Sequence, residues 1–113
     1  MSKDEVENLV AAYKLAMAEV QSIDRHNAYP VYPEAITKFM RLLQLPPWAA
    51  YDYVPEKTEE IMASIENASI KEVKRALMAA ARSERFCDGM WGKILEEKIL
   101  DPVIERLQIL SKA

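Results

Sequence analysis

The chain holds two glycines, Gly89 and Gly92, and both fall in one octet, Arg85-Phe86-Cys87-Asp88-Gly89-Met90-Trp91-Gly92. The same octet carries the only cysteine, Cys87, and one of the two tryptophans, Trp91. Glycine is required where φ is positive or where another segment comes too close for a Cβ. Outside the octet the backbone has to manage with ordinary conformations. The octet is therefore where the fold is most tightly constrained, and its simplest reading is a junction between helices.

The rest of the chain reads as helix. Ser2 is an N-cap with Glu5 completing a capping box. Val6, Leu9, Val10, Tyr13, Met17 and Val20 then recur at helical spacing, predicting a first helix from Lys3 to about Ile23. Such a helix is roughly 30 Å long and either spans the domain or projects from it. Asn27 to Pro33 breaks the pattern, because residues before proline avoid the α region. Pro33 suits the first position of a second helix with a stripe of Ile36, Phe39, Met40 and Leu43, ended by Pro46-Pro47. Leu45 to Val54 is a loop or a short turn of helix. Pro55 opens a third helix with Ile61, Met62 and Ile65 inward. Ser69 and Glu72 box a fourth, lined by Ile70, Val73, Leu77, Ala80 and Ala81 up to Arg82. A fifth begins at Asp88, and Asp101-Pro102 starts a sixth. No segment alternates as a strand does. The expectation is one all-α domain over residues 1–113, a compact bundle of five to six helices with an irregular connection rich in Pro, Tyr and Trp.

A length of 113 residues leaves room for one domain. One cysteine cannot staple it, and the acidic, polar N-terminus is neither a signal nor a transit peptide. No apolar run is long enough to span a bilayer. A cytoplasmic protein without membrane attachment is expected. A net charge of −3 disfavours general affinity for nucleic acid and leaves only a local basic patch as a route to it. With one histidine, His26, and one cysteine, no metal site is expected. No cofactor-binding motif is present either. His26 reads as a cation at the end of the first helix.

Three constellations could carry function. The first is the glycine segment: Arg82, Glu84, Arg85, Cys87 and Asp88, with Trp91 as a wall. A cysteine before a helix N-terminus can be a nucleophile, but it needs a base, and the only histidine is distant in sequence. The structural alternative is simpler. Asp88 caps a helix, Gly89 admits a neighbouring helix, Phe86 and Trp91 fill the core, Cys87 is a small buried residue, and Arg82, Arg85 and Asp88 form an ion-pair network. The second constellation is a basic stripe on the fourth helix, Lys71, Lys74 and Arg75, continued by Arg82 and Arg85, which could hold phosphates. Opposing it stand Glu56, Glu59, Glu60 and Glu66, available for pairing. The third is aromatic. Tyr29, Tyr32, Trp48, Tyr51 and Tyr53 cluster among prolines and could anchor an interface or tuck the connection onto the bundle.

Ser83-Glu84-Arg85-Phe86-Cys87-Asp88-Gly89, followed by Leu95-Glu96 and a final Ile104-Glu105-Arg106-Leu107, resembles an uncharacterised prokaryotic family. Its members carry a similar "ERFC-acid-G" core near the C-terminus. Val31-Tyr32-Pro33-Glu34 and Tyr51-Asp52-Tyr53 look like that family's extended aromatic connection. The resemblance is closest over residues 70 to 107. It implies a small, prokaryotic, intracellular domain and carries no catalytic role. The family pattern has a glycine about where Lys98 stands here.

The functional expectation is a non-enzymatic protein-interaction module that self-associates, most simply as a homodimer, with a further protein partner open. The alternatives are an accessory nucleic-acid or phosphate-ligand binder using Lys71, Lys74 and Arg75, and a small enzyme centred on Cys87, Asp88 and Arg85.

Overall fold

The structure, a computed structural model, describes residues 2–26 and 29–112. Among them are six α-helices: α1 (Lys3–Ala18), α2 (Glu34–Leu42), α3 (Thr58–Ala63), α4 (Ile70–Arg82), α5 (Met90–Glu96) and α6 (Asp101–Ser111). The expected all-α bundle is what forms. α4 lies at its centre and touches α2, α3, α5 and α6, while α1 packs on α2 and α6.

The two capping boxes form as their residue types dictate. Glu5 N–H donates to Ser2 Oγ at 3.1 Å and Ser2 N–H donates to the Glu5 carboxylate at 2.7 Å. Ser69 and Glu72 exchange the same two bonds at 3.2 and 3.0 Å. Each box satisfies two N–H groups at a helix start, one of them an orphan donor of the first turn.

α1 stops at Ala18, short of the expected Ile23. Val20–Ser22 tighten into a 3₁₀ turn, and Ile23 is extended. Asp24 then pairs with Val31 in an isolated antiparallel bridge, with N–H···O distances of 3.0 and 2.8 Å. That pairing takes the Asp24 backbone out of any helix. α1 is consequently roughly 24 Å long and packs on α2 and α6. His26 is not a helix-terminal residue either: its N–H donates to Asp24 Oδ1 at 2.9 Å in a turn of the Asx type. The Asn27-Ala28 part of the expected break lies outside the described residues.

Three further helix starts are shifted. Pro33 is extended and serves as the N-cap of α2, so Glu34 is its first residue. Pro55–Lys57 form a 3₁₀ turn before α3 begins at Thr58. Asp101 is the first residue of α6 rather than its cap, and the N-cap position falls to the buried Leu100. The Asp101 carboxylate has other work. It accepts a hydrogen bond from the Tyr13 hydroxyl and ties α6 to α1.

The predicted stripes make the core. Ile36, Phe39, Met40 and Leu43 of α2 and Val73 and Leu77 of α4 are fully buried. Ile65 is buried, whereas Ile61 and Met62 are half-buried at the edge of α3. Trp48 sits in the same core, carried there by the connection that follows the cis Pro46–Pro47 peptide. Among the described residues no polar or charged residue is buried.

Candidate functional site

The octet is organised by Glu84, which lies just before it in a 3₁₀ turn, Ser83–Arg85, that continues α4. One Glu84 oxygen, Oε2, accepts from Gly89 N–H at 2.7 Å. The other, Oε1, accepts from Trp91 N–H at 2.9 Å and from the Tyr32 hydroxyl at 2.8 Å. Gly89 is the N-cap residue of α5 and Trp91 its second helical residue, so a carboxylate from the preceding helix closes the start of the next. Negative charge is favoured there by the helix dipole. Gly89 has φ 92°, the left-handed region in which glycine is at ease.

The expected division of labour inside the octet is thus corrected. Asp88 does not cap α5, which begins at Met90; the cap is Glu84. Gly89 admits no neighbour, for nothing lies within 4 Å of where its Cβ would be. The close approach belongs to Gly92. A Cβ there would stand 2.9 Å from Arg25 Nη2 and 3.3 Å from Ile23 Cδ1. Arg25 lies across Gly92 to reach Glu96, one turn further along α5, in an ion pair. The octet therefore docks on the segment around the Asp24–Val31 bridge.

Tyr32 is the other half of that dock. Its ring lies against Trp91 with centroids 5.2 Å apart and planes tilted by 49°. Trp91 Nε1–H donates to Ala81 O at 3.0 Å. Burial first, and then the hydrogen bond to Glu84, push the Tyr32 phenol well above its usual range.

Two residues expected in the core are outside it. Phe86 is 78% exposed and Cys87 is exposed. The reason is geometric: Glu84 turns inward to hold the α5 N-terminus, which leaves residues 85–88 on the outside of the turn. Neither Arg82 nor Arg85 lies within ion-pair distance of Asp88, so the expected network does not form. The Cys87 thiol makes a hydrogen bond to the Asp88 carbonyl, at 3.9 Å, and none to a carboxylate or to His26.

Beside Phe86 runs an apolar groove of about 520 Å³ between α3, α4 and α5. Met62, Ala79, Met90, Ile94 and Ile99 form its walls, and Phe86, Cys87 and Glu59 line it as well.

Two residues of the basic stripe, Arg75 and Arg82, are engaged within the chain. Arg75 donates to Asp52 at 2.7 Å in an ion pair, and this guanidinium holds the Asp52 carboxyl below its usual range. The Arg82 guanidinium lies 5.6 Å from the Tyr53 ring centroid, a cation–π contact. Two arginines one above the other on α4 thus clamp successive residues of the connection, Asp52 and Tyr53. Lys71 is exposed and Lys74 half-buried, each with an acid near enough to sense it, Asp52 and Glu5 respectively.

The aromatic constellation divides. Trp48 is 2% exposed and is core, not interface. Tyr32 and Tyr53 are half-buried and engaged as described, while Tyr29 and Tyr51 are 68% and 76% exposed. Among the described residues, no group of three or more His, Cys, Asp or Glu could hold a metal ion, and no helix is long and apolar enough to cross a membrane.

A family model described as a family of unknown function (DUF6508) matches residues 17–113. The chain belongs to that family. No curated protein and no solved structure matches it. The family match takes in the whole Glu84 junction, the bridge segment that docks on it and the groove beside it, and it begins inside α1.

The sequence marks Glu84 as a candidate residue but does not show its capping role. The readable signal was a carboxylate ahead of a glycine that precedes a helix lacking any Ser, Thr or Asn at its cap. Nothing local in the sequence singles out Arg25, because its partner Glu96 is distant in sequence.

Proposed function

We propose that this domain is a non-enzymatic protein-interaction module that self-associates. The observation that carries the reading is Phe86, a large apolar side chain held out into solvent at the edge of an apolar groove. Single exposed apolar residues are ordinary, but an aromatic beside a contiguous apolar surface is the mark of an interaction site. The presentation is also rigid. Glu84 fixes the turn on both sides of Phe86 by bonds to Gly89 and Trp91, so little chain entropy remains to be lost on binding. A second apolar groove, about 850 Å³ between α1 and α2 with Leu15 and Leu45 exposed on it, adds to the unpartnered surface.

The phosphate-binding alternative loses Arg75, which already serves Asp52. The enzymatic alternative has an accessible thiol whose hydrogen bond goes to a backbone carbonyl and not to a base.

Light-scattering mass measured over a dilution series from millimolar to micromolar protein tests the proposal. A mass that rises toward twice the monomer with concentration is expected. A monomer mass throughout contradicts self-association.

A further inference from the structure

We infer that the surface of self-association is the groove between α3, α4 and α5, in a two-fold dimer in which each copy's Phe86 enters the other copy's groove. This rests on the self-association reading above and names its interface and symmetry.

A two-fold interface uses the same patch on both copies, so the patch must complement itself. This one carries both a projection and a recess: Phe86 stands at the edge, and Met62, Met90, Ile94 and Ile99 wall the groove beside it. Methionine walls adapt to an aromatic ring and attract its edge. The charges of the patch fit the same operation. Arg85 adjoins the projection and Glu59 lines the recess; among the described residues neither has an ion-pair partner. When the projection of one copy enters the recess of the other, Arg85 approaches the second copy's Glu59, and the two-fold repeats that pair. The α1–α2 groove lacks this property: its rim sets Lys38 and Arg41 against Glu34 alone and no aromatic projects from it.

The area bounds the strength. Each ring removes about 200 Å² of its own surface from water and a similar area of wall, or roughly 800 Å² for two rings and two walls. That is below the ~1,200 Å² of a stable standard interface, so the dimer is reversible, and the two rim pairs fix its orientation more than its affinity.

The test is a charge-swap mixing experiment at low salt, where exposed pairs are least screened. Arg85→Glu and Glu59→Arg are made separately, and the dimer dissociation constant of each is measured by sedimentation. Each alone places like charges together twice and weakens dimerisation roughly tenfold. An equimolar mixture of the two restores both pairs between unlike copies and returns the constant to within about threefold of the unmodified protein. Phe86→Asp, at a position too exposed to disturb the core, weakens it roughly a hundredfold. If the unmodified protein does not dimerise at all, the self-association reading itself falls. If it dimerises and Phe86→Asp leaves the constant unchanged, self-association stands and this surface is wrong. If Phe86→Asp acts and the mixture fails to recover, the reciprocal two-fold arrangement is overturned.

Discussion

Glu84 accepts three hydrogen bonds through its side chain. Its carboxylate accepts from two backbone N–H groups at the start of α5 and from the Tyr32 hydroxyl, and so joins α4, α5 and the segment after the Asp24–Val31 bridge. Replacing it with alanine leaves three half-buried donors without their acceptor. Glu84→Ala is therefore expected to lower stability by about 2–3 kcal/mol, read from the urea midpoint. A loss below about 0.5 kcal/mol means that water replaces the carboxylate and the junction is not held as described. Glu84→Gln, which keeps an acceptor but not the charge, should fall between. Gly89 and Gly92 differ at this scale. Gly89 answers to its φ of 92°, while at Gly92 a Cβ would press on the flexible end of Arg25 and on Ile23, which a small shift of those side chains relieves. The sequence marked the octet as constrained because its glycines stand alone. Which glycine met which constraint was not legible, since that depends on Arg25, brought in by a bridge that no local pattern announces.

The helices show where local rules suffice. The Ser2–Glu5 and Ser69–Glu72 boxes and the stripes of α2 and α4 formed where their spacing predicted, because a capping box and a 3.6-residue period involve only near neighbours. Ends governed by distant contacts were misread. α1 stops early for the sake of the bridge, and Asp101 gives up its capping role to accept from Tyr13. The exit of α5 illustrates both. Lys98 has φ 55°, and Ile99 N–H bonds Ile94 O at 3.0 Å while Lys98 N–H bonds Leu95 O at 3.1 Å. These are the two bonds of a Schellman ending, whose left-handed position glycine favours. The family resemblance pointed to a glycine near this residue. Lys98→Gly is accordingly expected to raise stability by about 0.5–1 kcal/mol, measured by thermal or urea unfolding. A clear loss of stability means that the lysine side chain makes a contact worth more than the backbone strain.

The whole molecule has a radius of gyration of 13.5 Å and extents of 44 × 30 × 23 Å, close to the ~13 Å expected for one domain of this size. Its titrating groups define a stability plateau with two edges. Glu5, Asp52 and Glu72 have carboxyls lowered in the folded protein, the first and last by backbone hydrogen bonds from their capping serines and Asp52 by Arg75. Their contribution is present above the unfolded carboxyl range and is lost as pH falls through the lower folded values. The unfolded chain binds more protons there, so stability declines below about pH 4.5. Tyr13 and Tyr32 have phenols raised, first by burial and then by their bonds to Asp101 and Glu84. Above the unfolded value of 10.0 the unfolded chain loses phenolic protons that the folded one keeps, and stability falls as pH rises. Tyr13→Phe and Tyr32→Phe should each flatten the alkaline edge and leave the acid edge unchanged in pH-dependent unfolding; an unaltered alkaline edge contradicts the buried-phenol explanation. Helical periodicity and capping signals made the all-α bundle legible, but not the outward face of the octet, because only the inward turn of Glu84 puts Phe86 and Cys87 outside. The central claim is that this outward face is presented for a second copy. Cys87 reports on it directly, because it lines the groove and is exposed in the single chain. The rate at which Cys87 reacts with a disulfide reagent, followed in native protein over a concentration series, is predicted to be rapid when dilute and to fall as concentration rises into the range of dimer formation. A rate independent of concentration while the mass doubles, or a thiol that reacts only after denaturant is added, contradicts the account.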